Sequence, residues 1–277
     1  MISIIMPTYN RGYIIKNAIN SILNQSYKDF ELIIVDDGST DNTKEIVKSF
    51  KDDRIRYIRY EENKGACYAR NIGIKESKGD YITFHDSDDY CYKDRVKLQY
   101  ENMIASKSDI DFCNFDSYSN GKLVRHNLTS YLKLLIKLHG YYYAACYKNY
   151  IGTPVILAKK DCLLEELFDE NLPRLQDYDL VLRLLSKYKV SHTNKVLLRQ
   201  EIQENSITKN NEKGLKAIEI LLKKYSDNKL LKSTLYNMEA GMYTNEFKKE
   251  KLNCYRKSLN IKFRFKVFIK YILTRFS

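Results

Sequence analysis

Apolar residues in the first half of the chain alternate between two periods. The short run 3–6 is followed by 13–24, where Ile14, Ile15, Ala18, Ile19, Ile22 and Leu23 form one helical stripe. A second apolar run, 30–35, ends in Asp36-Asp37-Gly38-Ser39, and Asp41 or Asn42 can cap a helix reaching about residue 50. Strand-like 55–59, helix-like 66–76, strand-like 81–85, helix-like 93–106 and strand-like 110–115 follow with short links. This order predicts an α/β domain whose mostly parallel sheet is covered by helices on both faces. Such sheets bind ligands beyond the carboxyl ends of their strands. Two acidic clusters, Asp36/Asp37 and Asp86/Asp88/Asp89, fall at those ends.

The alternation lapses between 116 and 150, where Tyr141-Tyr142-Tyr143, Tyr147 and Tyr150 make an aromatic-rich insert. Aromatic rings stack on sugars or bases, but most of these are expected to fill core. A strand resumes at 155–158, and 177–188 reads as a helix with Leu180, Val181, Leu184 and Leu185 on one face. From about residue 210 the pattern is helical to the end. The last segment sets Phe265, Phe268, Ile269, Ile272, Leu273 and Phe276 on one side and Lys262, Lys266 and Lys270 on another. That is the pattern of a basic helix lying in a membrane interface. The plainer reading is a docked helix with solvated lysines.

With 277 residues, 44% hydrophobic and 30% charged, the chain can build one large α/β domain with a smaller appendage. Its six cysteines are scattered without a C-x-x-C pair, so they read as reduced thiols of a cytoplasmic protein without structural zinc. The start has no basic n-region, and no apolar run approaches the ~18 residues of a membrane span. The net charge of +12 is concentrated late: between 247 and 277, ten Lys/Arg stand against Glu250 alone. Such a tail suits a membrane face, nucleic acid or a phosphorylated substrate.

The densest chemistry is Asp86-Ser87-Asp88-Asp89, following the strand-like Tyr81-Ile82-Thr83-Phe84 and His85. Carboxylates crowded at one strand end are costly unless a cation or a set of donors compensates them. A hard divalent metal completed by phosphate oxygens is one solution; a solvated acidic turn is the other. The four histidines show no ligand spacing. His85 flanks the site at a strand end, and His126, His139 and His192 carry no assigned chemistry.

Taken in order, these segments resemble glycosyltransferase family 2, whose members have the GT-A fold. The matching stretches are Pro7-Thr8-Tyr9-Asn10, then Val-Asp-Asp-Gly-Ser-Thr-Asp at 35–41, then Asn63-Lys64-Gly65 with Ala69-Arg70-Asn71. Gly-Asp-Tyr-Ile at 79–82 and the D-x-D-D run at 86–89 complete the set. The resemblance implies a GT-A domain over 1–210, with a nucleotide-sugar half (1–115) and an acceptor-side half (116–210). A helical basic region, 211–277, would follow.

The resemblance also implies roles. Asp88 would ligate Mn2+ or Mg2+, which bridges the diphosphate of a UDP-sugar donor. Asp86 and Ser87 would lie against the ribose, and Asp89 would organise the loop or hydrogen-bond the acceptor. Asp36 and Asp37 would accept from base and ribose, Pro7, Thr8 and Tyr9 would line the base pocket, and Lys64 and Arg70 would face phosphate. For Arg70 a structural ion pair is the alternative. The general base would be Asp177, in the segment Leu175-Gln176-Asp177-Tyr178-Asp179-Leu180, giving single displacement with inversion. An ordinary helix cap is its alternative. Two departures stand out: Gln176 replaces the family's Glu, and Gln203 stands where many relatives carry a metal-shell His.

The function so implied is hexose transfer to a lipid-linked or growing surface saccharide, by a cytoplasmic enzyme held on the inner membrane face through its basic C-terminal helices. No nucleic-acid partner is expected. Processive synthases need a Gln-x-x-Arg-Trp motif, and this chain has no Trp. A polyprenyl-phosphate sugar synthase, a degenerate transferase, a nucleotidyltransferase and a basic nucleic-acid binder stay as alternatives. The last two lack a phosphate loop and a recognisable module respectively.

Overall fold

Strands β1 (Ile2–Thr8) and β2 (Phe30–Asp36) are buried along their whole length, which is why both read as nearly unbroken apolar runs. The structure is a computed structural model that describes residues 1–202 and 210–276. β1 lies between β2 and β4 (Tyr81–Phe84), parallel to both, and β3 (Ile55–Arg59) continues the parallel set beyond β2. The chain leaves β1 for one neighbour and later returns to the other. The crevice beyond its carboxyl end is therefore a topological switch point.

Beyond β4 the sheet changes character. β8 (Ile156–Lys159) runs antiparallel to β4 and to β6 (Ile110–Ser119), while β6 is parallel to β9 (Val190–Glu201). β5 (Tyr90–Cys91) closes the order β3-β2-β1-β4-β8-β6-β9-β5, with β7 (Lys122–His126) paired to β6. The parallel sheet expected from the alternating pattern is thus the first half, and the second half is mixed.

Helices α1 (Ile15–Leu23), α2 (Thr43–Ser49) and α4 (Arg95–Ser106) cover one face, burying Ile15, Ile19, Ile22, Val47, Val96 and Met103 against Ile2, Ile4 and Leu32. The other face is covered by α3 (Ala66–Glu76), α5 (Ser130–Tyr147), α6 (Lys160–Glu165) and α7 (Gln176–Lys187). α8 (Asn211–Lys224) and α9 (Lys229–Met242) extend that core, and α10 (Lys248–Ile261) with α11 (Phe265–Phe276) adds a small cluster around Cys254, Tyr255 and Val267. The irregular insert expected at 116–150 instead contains the end of β6, all of β7 and the 18-residue α5, which kinks at Gly140 (φ 81°). Its tyrosines mostly pack: Tyr150 is buried, and Tyr141, Tyr142, Tyr143 and Tyr147 rest half-buried on the core.

α3 sits close on β1 because Gly73 has no side chain. A Cβ there would come within 2.4 Å of Ile5 Cγ2. Gly73→Ala gains about 1 kcal/mol of helix propensity but overpacks a filled core, which costs about 1–3 kcal/mol. Urea unfolding should show net destabilisation. An unchanged midpoint would mean that α3 can lift off β1.

Candidate active site

The two loops at the switch point are fastened to each other by the polar residues of their own motifs. Asn10, in left-handed backbone (φ 51°), receives the Thr40 amide on its side-chain oxygen at 2.8 Å, and its own amide donates to Ser39 Oγ at 2.9 Å. The Gly12 amide donates to Asp41 at 2.9 Å, and the Arg11 amide to Thr43 Oγ1 at 3.0 Å. Asp41 also accepts the Thr43 amide at 3.0 Å, so it holds the start of α2 and the β1 loop together. Gly38 (φ 78°) makes the turn between them, where a Cβ would meet the Glu61 carbonyl at 2.8 Å.

Within this clamp both carboxylates at the end of β2 are buried and bonded. Asp36 accepts the Ser39 amide at 2.8 Å and the Tyr57 hydroxyl. Asp37 accepts the backbone amides of Lys64 and Gly65 at 2.7 and 2.8 Å, which draws the segment before α3 over the crevice. Each oxygen keeps a further lone pair. Thr8, at the tip of β1, has a buried hydroxyl with no partner among the described residues, and Tyr9 is exposed beside it. Pro7 is buried in β1, and Lys64 holds its ammonium 5.0 Å from the Tyr68 ring.

The acidic turn after β4 is compensated unevenly. Arg70, reaching from α3, donates to Asp86 Oδ1 at 2.8 Å. Its Nε has no partner among the described residues. Asp89 accepts the Glu201 amide at 3.3 Å through one oxygen, and the other is buried and unpaired among the described residues. Asp88 has no hydrogen bond from any other described residue and no ion pair among them. Burial and the charge of Asp86 push its carboxyl up to about 6, although Arg11 and Arg70 pull the other way. Burial, Asp86 and Asp88 likewise raise Asp89 well above the carboxylate range. Ser87 is buried between them. Beneath the turn Arg95 is fully buried, donating to the Phe84 carbonyl at 3.3 Å, Thr83 Oγ1 at 3.2 Å and the Pro154 carbonyl. His85 is buried too. Its desolvation and the charge of Arg95 lower its pKa to about 3, so it is neutral.

Asp177 stands in the first turn of α7, where Leu175 (φ 63°) bends the chain into the helix. Its carboxylate accepts the Tyr178 amide at 2.8 Å and Asn149 Nδ2 at 3.4 Å. Burial raises its pKa, while Arg70 acts to lower it and Asp86 to raise it further. Asp177 and Asp86 therefore share the field of one buried cation. The segment leading to Asp177 is tied to α3 by Asn71, which exchanges bonds with the Phe168 backbone (2.9 and 3.0 Å) and donates to Glu170 at 2.7 Å. Phe168 packs edge-on against Phe84 at 5.4 Å and lies 5.5 Å from the Arg70 guanidinium. Gln176 donates back to the Leu172 carbonyl at 3.0 Å. Asp179 points away, fully buried among Arg183, Lys224 and Tyr225. Gln203 lies outside the described residues.

For a divalent cation, the described residues contain no group of three or more His, Cys, Asp or Glu side chains able to hold a metal. One unpaired carboxylate beside a second that is half satisfied fits a cation whose remaining ligands come from phosphate and water. Asn71, Tyr57 and Arg95 were not expected from sequence. A buried Arg four residues beyond Cys91 carries no local signal of what it supports.

The sequence profile described as Glycosyl transferase family 2 matches residues 3–157, more than half of the chain. The chain belongs to glycosyltransferase family 2. It is 32% identical over 222 residues to UDP-Glc:alpha-D-GlcNAc-diphosphoundecaprenol beta-1,3-glucosyltransferase WfgD of Escherichia coli, covering 78% of this chain and 83% of that one. It spans about a third (34%) of a Rickettsia felis glycosyltransferase to which it is 32% identical over 215 residues, or 75% of this chain. Among solved structures, S. aureus TarS in complex with UDP-GlcNAc superposes with TM-score 0.69 at 20% identity, over 96% of this chain and 82% of that one. The mannosyltransferase PcManGT of Pyrobaculum calidifontis, in complex with GDP-Man and Mn2+, gives 0.66 at 15%, over 94% and 73%. These likenesses establish the GT-A fold, with its C-terminal helices as an added layer.

In this family 2 glycosyltransferase, Asp37→Asn turns one of two acceptors into a donor facing a backbone amide. The expected cost is about 1–3 kcal/mol, the penalty of a buried unmet donor, read as a lowered urea midpoint. Full stability in the variant would mean that Lys64 and Gly65 are not held by Asp37.

Proposed function

We propose that this chain is a metal-dependent inverting hexosyltransferase, moving a sugar from UDP to a lipid-linked or growing surface saccharide. The observation that carries the reading is the division among the carboxylates. Donors from other residues meet Asp36, Asp37 and Asp86, whereas Asp88 has none from any other described residue. WfgD acts, by its name, from UDP-Glc on a diphosphoundecaprenol-linked GlcNAc, and TarS is seen with UDP-GlcNAc, which supports the donor and acceptor classes. The PcManGT complex with Mn2+ supports the cation.

Asp36 and Asp37 accept from uracil and ribose through their remaining lone pairs, with the unpartnered Thr8 hydroxyl, Pro7 and Tyr9 around the base. Asp86 and Ser87 lie against the ribose, and the open Nε–H of Arg70 and the Lys64 ammonium face phosphate. Asp88, with Asp89 and Gln203 as auxiliary groups, would hold Mn2+ or Mg2+, which would neutralise the departing diphosphate when bound. Asp177 takes the proton of the acceptor hydroxyl as it attacks the anomeric carbon, and inversion follows from a single displacement. In this reading 1–115 binds donor, 116–210 serves the acceptor, and 211–277 is the helical basic region.

Membrane docking fits the last helices. Phe263, Phe265, Leu273 and Phe276 are 65–78% exposed, and Leu134 and Leu138 of α5 are exposed as well. Cations edge the same face: Lys262 donates to the Tyr143 hydroxyl at 2.9 Å, and Arg264 stacks 3.8 Å from the Tyr147 ring. No described helix is long and apolar enough to cross a membrane. An apolar strip with a basic rim is the chemistry of an anionic lipid surface.

A panel of UDP-sugars with Mn2+ or Mg2+, scored for slow donor hydrolysis, tests the transfer reading. Hydrolysis of none would sink it. Asp88→Ala should abolish turnover and metal-dependent UDP binding; Asp177→Asn should retain UDP binding and lose transfer by about 10²–10⁴-fold. Because transfer needs Asp177 ionised and burial raises its pKa, activity should switch on as pH rises through a value above the ordinary carboxylate range. A profile flat down to that range would remove Asp177 from the role. In co-sedimentation with vesicles containing anionic lipid, the Phe265→Asp/Leu273→Asp double variant should stay in the supernatant while the wild type pellets. Equal pelleting of both would exclude this face.

A further inference from the structure

On the α1 side of the acidic turn lies a second cleft, about 450 Å³ in volume, walled by α1, β5 and the end of β9. Of the residues given to the donor and the cation, only Asp88 and Asp89 reach it. The α1 wall presents Asn17, Asn20 and Asn24, spaced so that all three fall on one helical face. None of their side-chain amides has a hydrogen bond among the described residues. Asn is a weak helix former, so two within the nine-residue α1 carry a local cost. Asn24, at the C-cap, is an ordinary choice there.

Across the cleft stand Tyr90 and Tyr92, 48% and 37% exposed, with ring centroids 5.6 Å apart in an edge-to-face pair. Asp89, itself 4% exposed, is part of the lining, and its buried Oδ2 has no partner among the described residues. A carboxylate oxygen left without a donor under the cleft wall is a polar demand that the described residues do not meet. Arg199 is paired with Glu201 and lies over the Tyr118 ring at 4.2 Å, so the cleft lining offers no uncompensated cation among the described residues. A lining of that kind disfavours an anionic ligand.

We propose that this cleft binds a neutral saccharide, a stretch of the acceptor chain beyond its reacting sugar. Amides and a carboxylate match hydroxyl and acetamido groups, and the tyrosine rings match the apolar faces of sugars. The inference rests on the transferase reading above and adds a site for the acceptor class on the face of the sheet opposite Asp177.

The test is saturation-transfer NMR of the full chain with a panel of glucose-, galactose- and N-acetylglucosamine-containing tetrasaccharides, in EDTA, with and without UDP. At least one should bind, and binding should persist with UDP present. Tyr90→Ala and Asn20→Ala, both at exposed positions, should each weaken it roughly tenfold, the scale of one ring contact or hydrogen bond. Their donor hydrolysis should match wild type. No binding across the panel, binding untouched in both variants, or displacement by UDP overturns the proposal. Saccharide binding through these residues in a protein that hydrolyses no UDP-sugar would uphold the cleft and defeat the transferase reading instead.

Discussion

Negative charge at the end of β4 is the constraint around which the rest is arranged. Three carboxylates leave one strand within four positions, and a low-dielectric setting will not hold them all ionised without countercharge. The protein supplies one guanidinium to Asp86, one backbone amide to Asp89 and, among the described residues, only the charges of Arg11 and Arg70, neither paired with it, and its own amide to Asp88. The contrast with the far end of the sheet is instructive. There, burial alone would raise Glu31, but Arg56, Ser3 Oγ and the Lys78 amide bring it below the usual range. The fold can neutralise a buried carboxylate completely, and at the switch point it stops short.

That incomplete neutralisation depends on rigid surroundings. The β1 loop and the β2–α2 loop hold each other through Asn10, Ser39, Asp41 and Thr43. α3 is fixed against β1 at Gly73, and through Asn71 it holds the segment that leads to Asp177. Arg70 rides on the same helix. The helix that neutralises Asp86 therefore also positions the carboxylate opposite, and the two halves of the site share one structural member.

The parallel half of the sheet was legible because strands buried on both faces must be apolar throughout, as in β1 and β2. β9 was not legible, for an equally physical reason. Its early residues Ser191 and Thr193 turn inward to bond Asp111 at 2.7 and 2.8 Å, so the buried positions of this partly exposed strand are polar and read as loop. β7 is exposed along its length and shows no alternation, and the kink at Gly140 breaks the stripe of α5. In the site, the acidic clusters were visible as charge at strand ends. Three partners were not visible: Tyr57 for Asp36 and the Lys64 and Gly65 amides for Asp37. Their bonds exist only once β3 and α3 are in place.

Arg95 carries a consequence for how the molecule is assembled. Its guanidinium is sealed under the acidic turn, and one of the carbonyls that solvate it belongs to Pro154, just before β8. A growing chain that has emerged only through α4 would hold a cation with too few acceptors to enter the interior. The turn can therefore settle on its support only after about 155 residues are outside the ribosome, late for a motif that begins at residue 86. Until then Arg95 lacks the Pro154 carbonyl, one of the acceptors that seal it beneath the acidic segment.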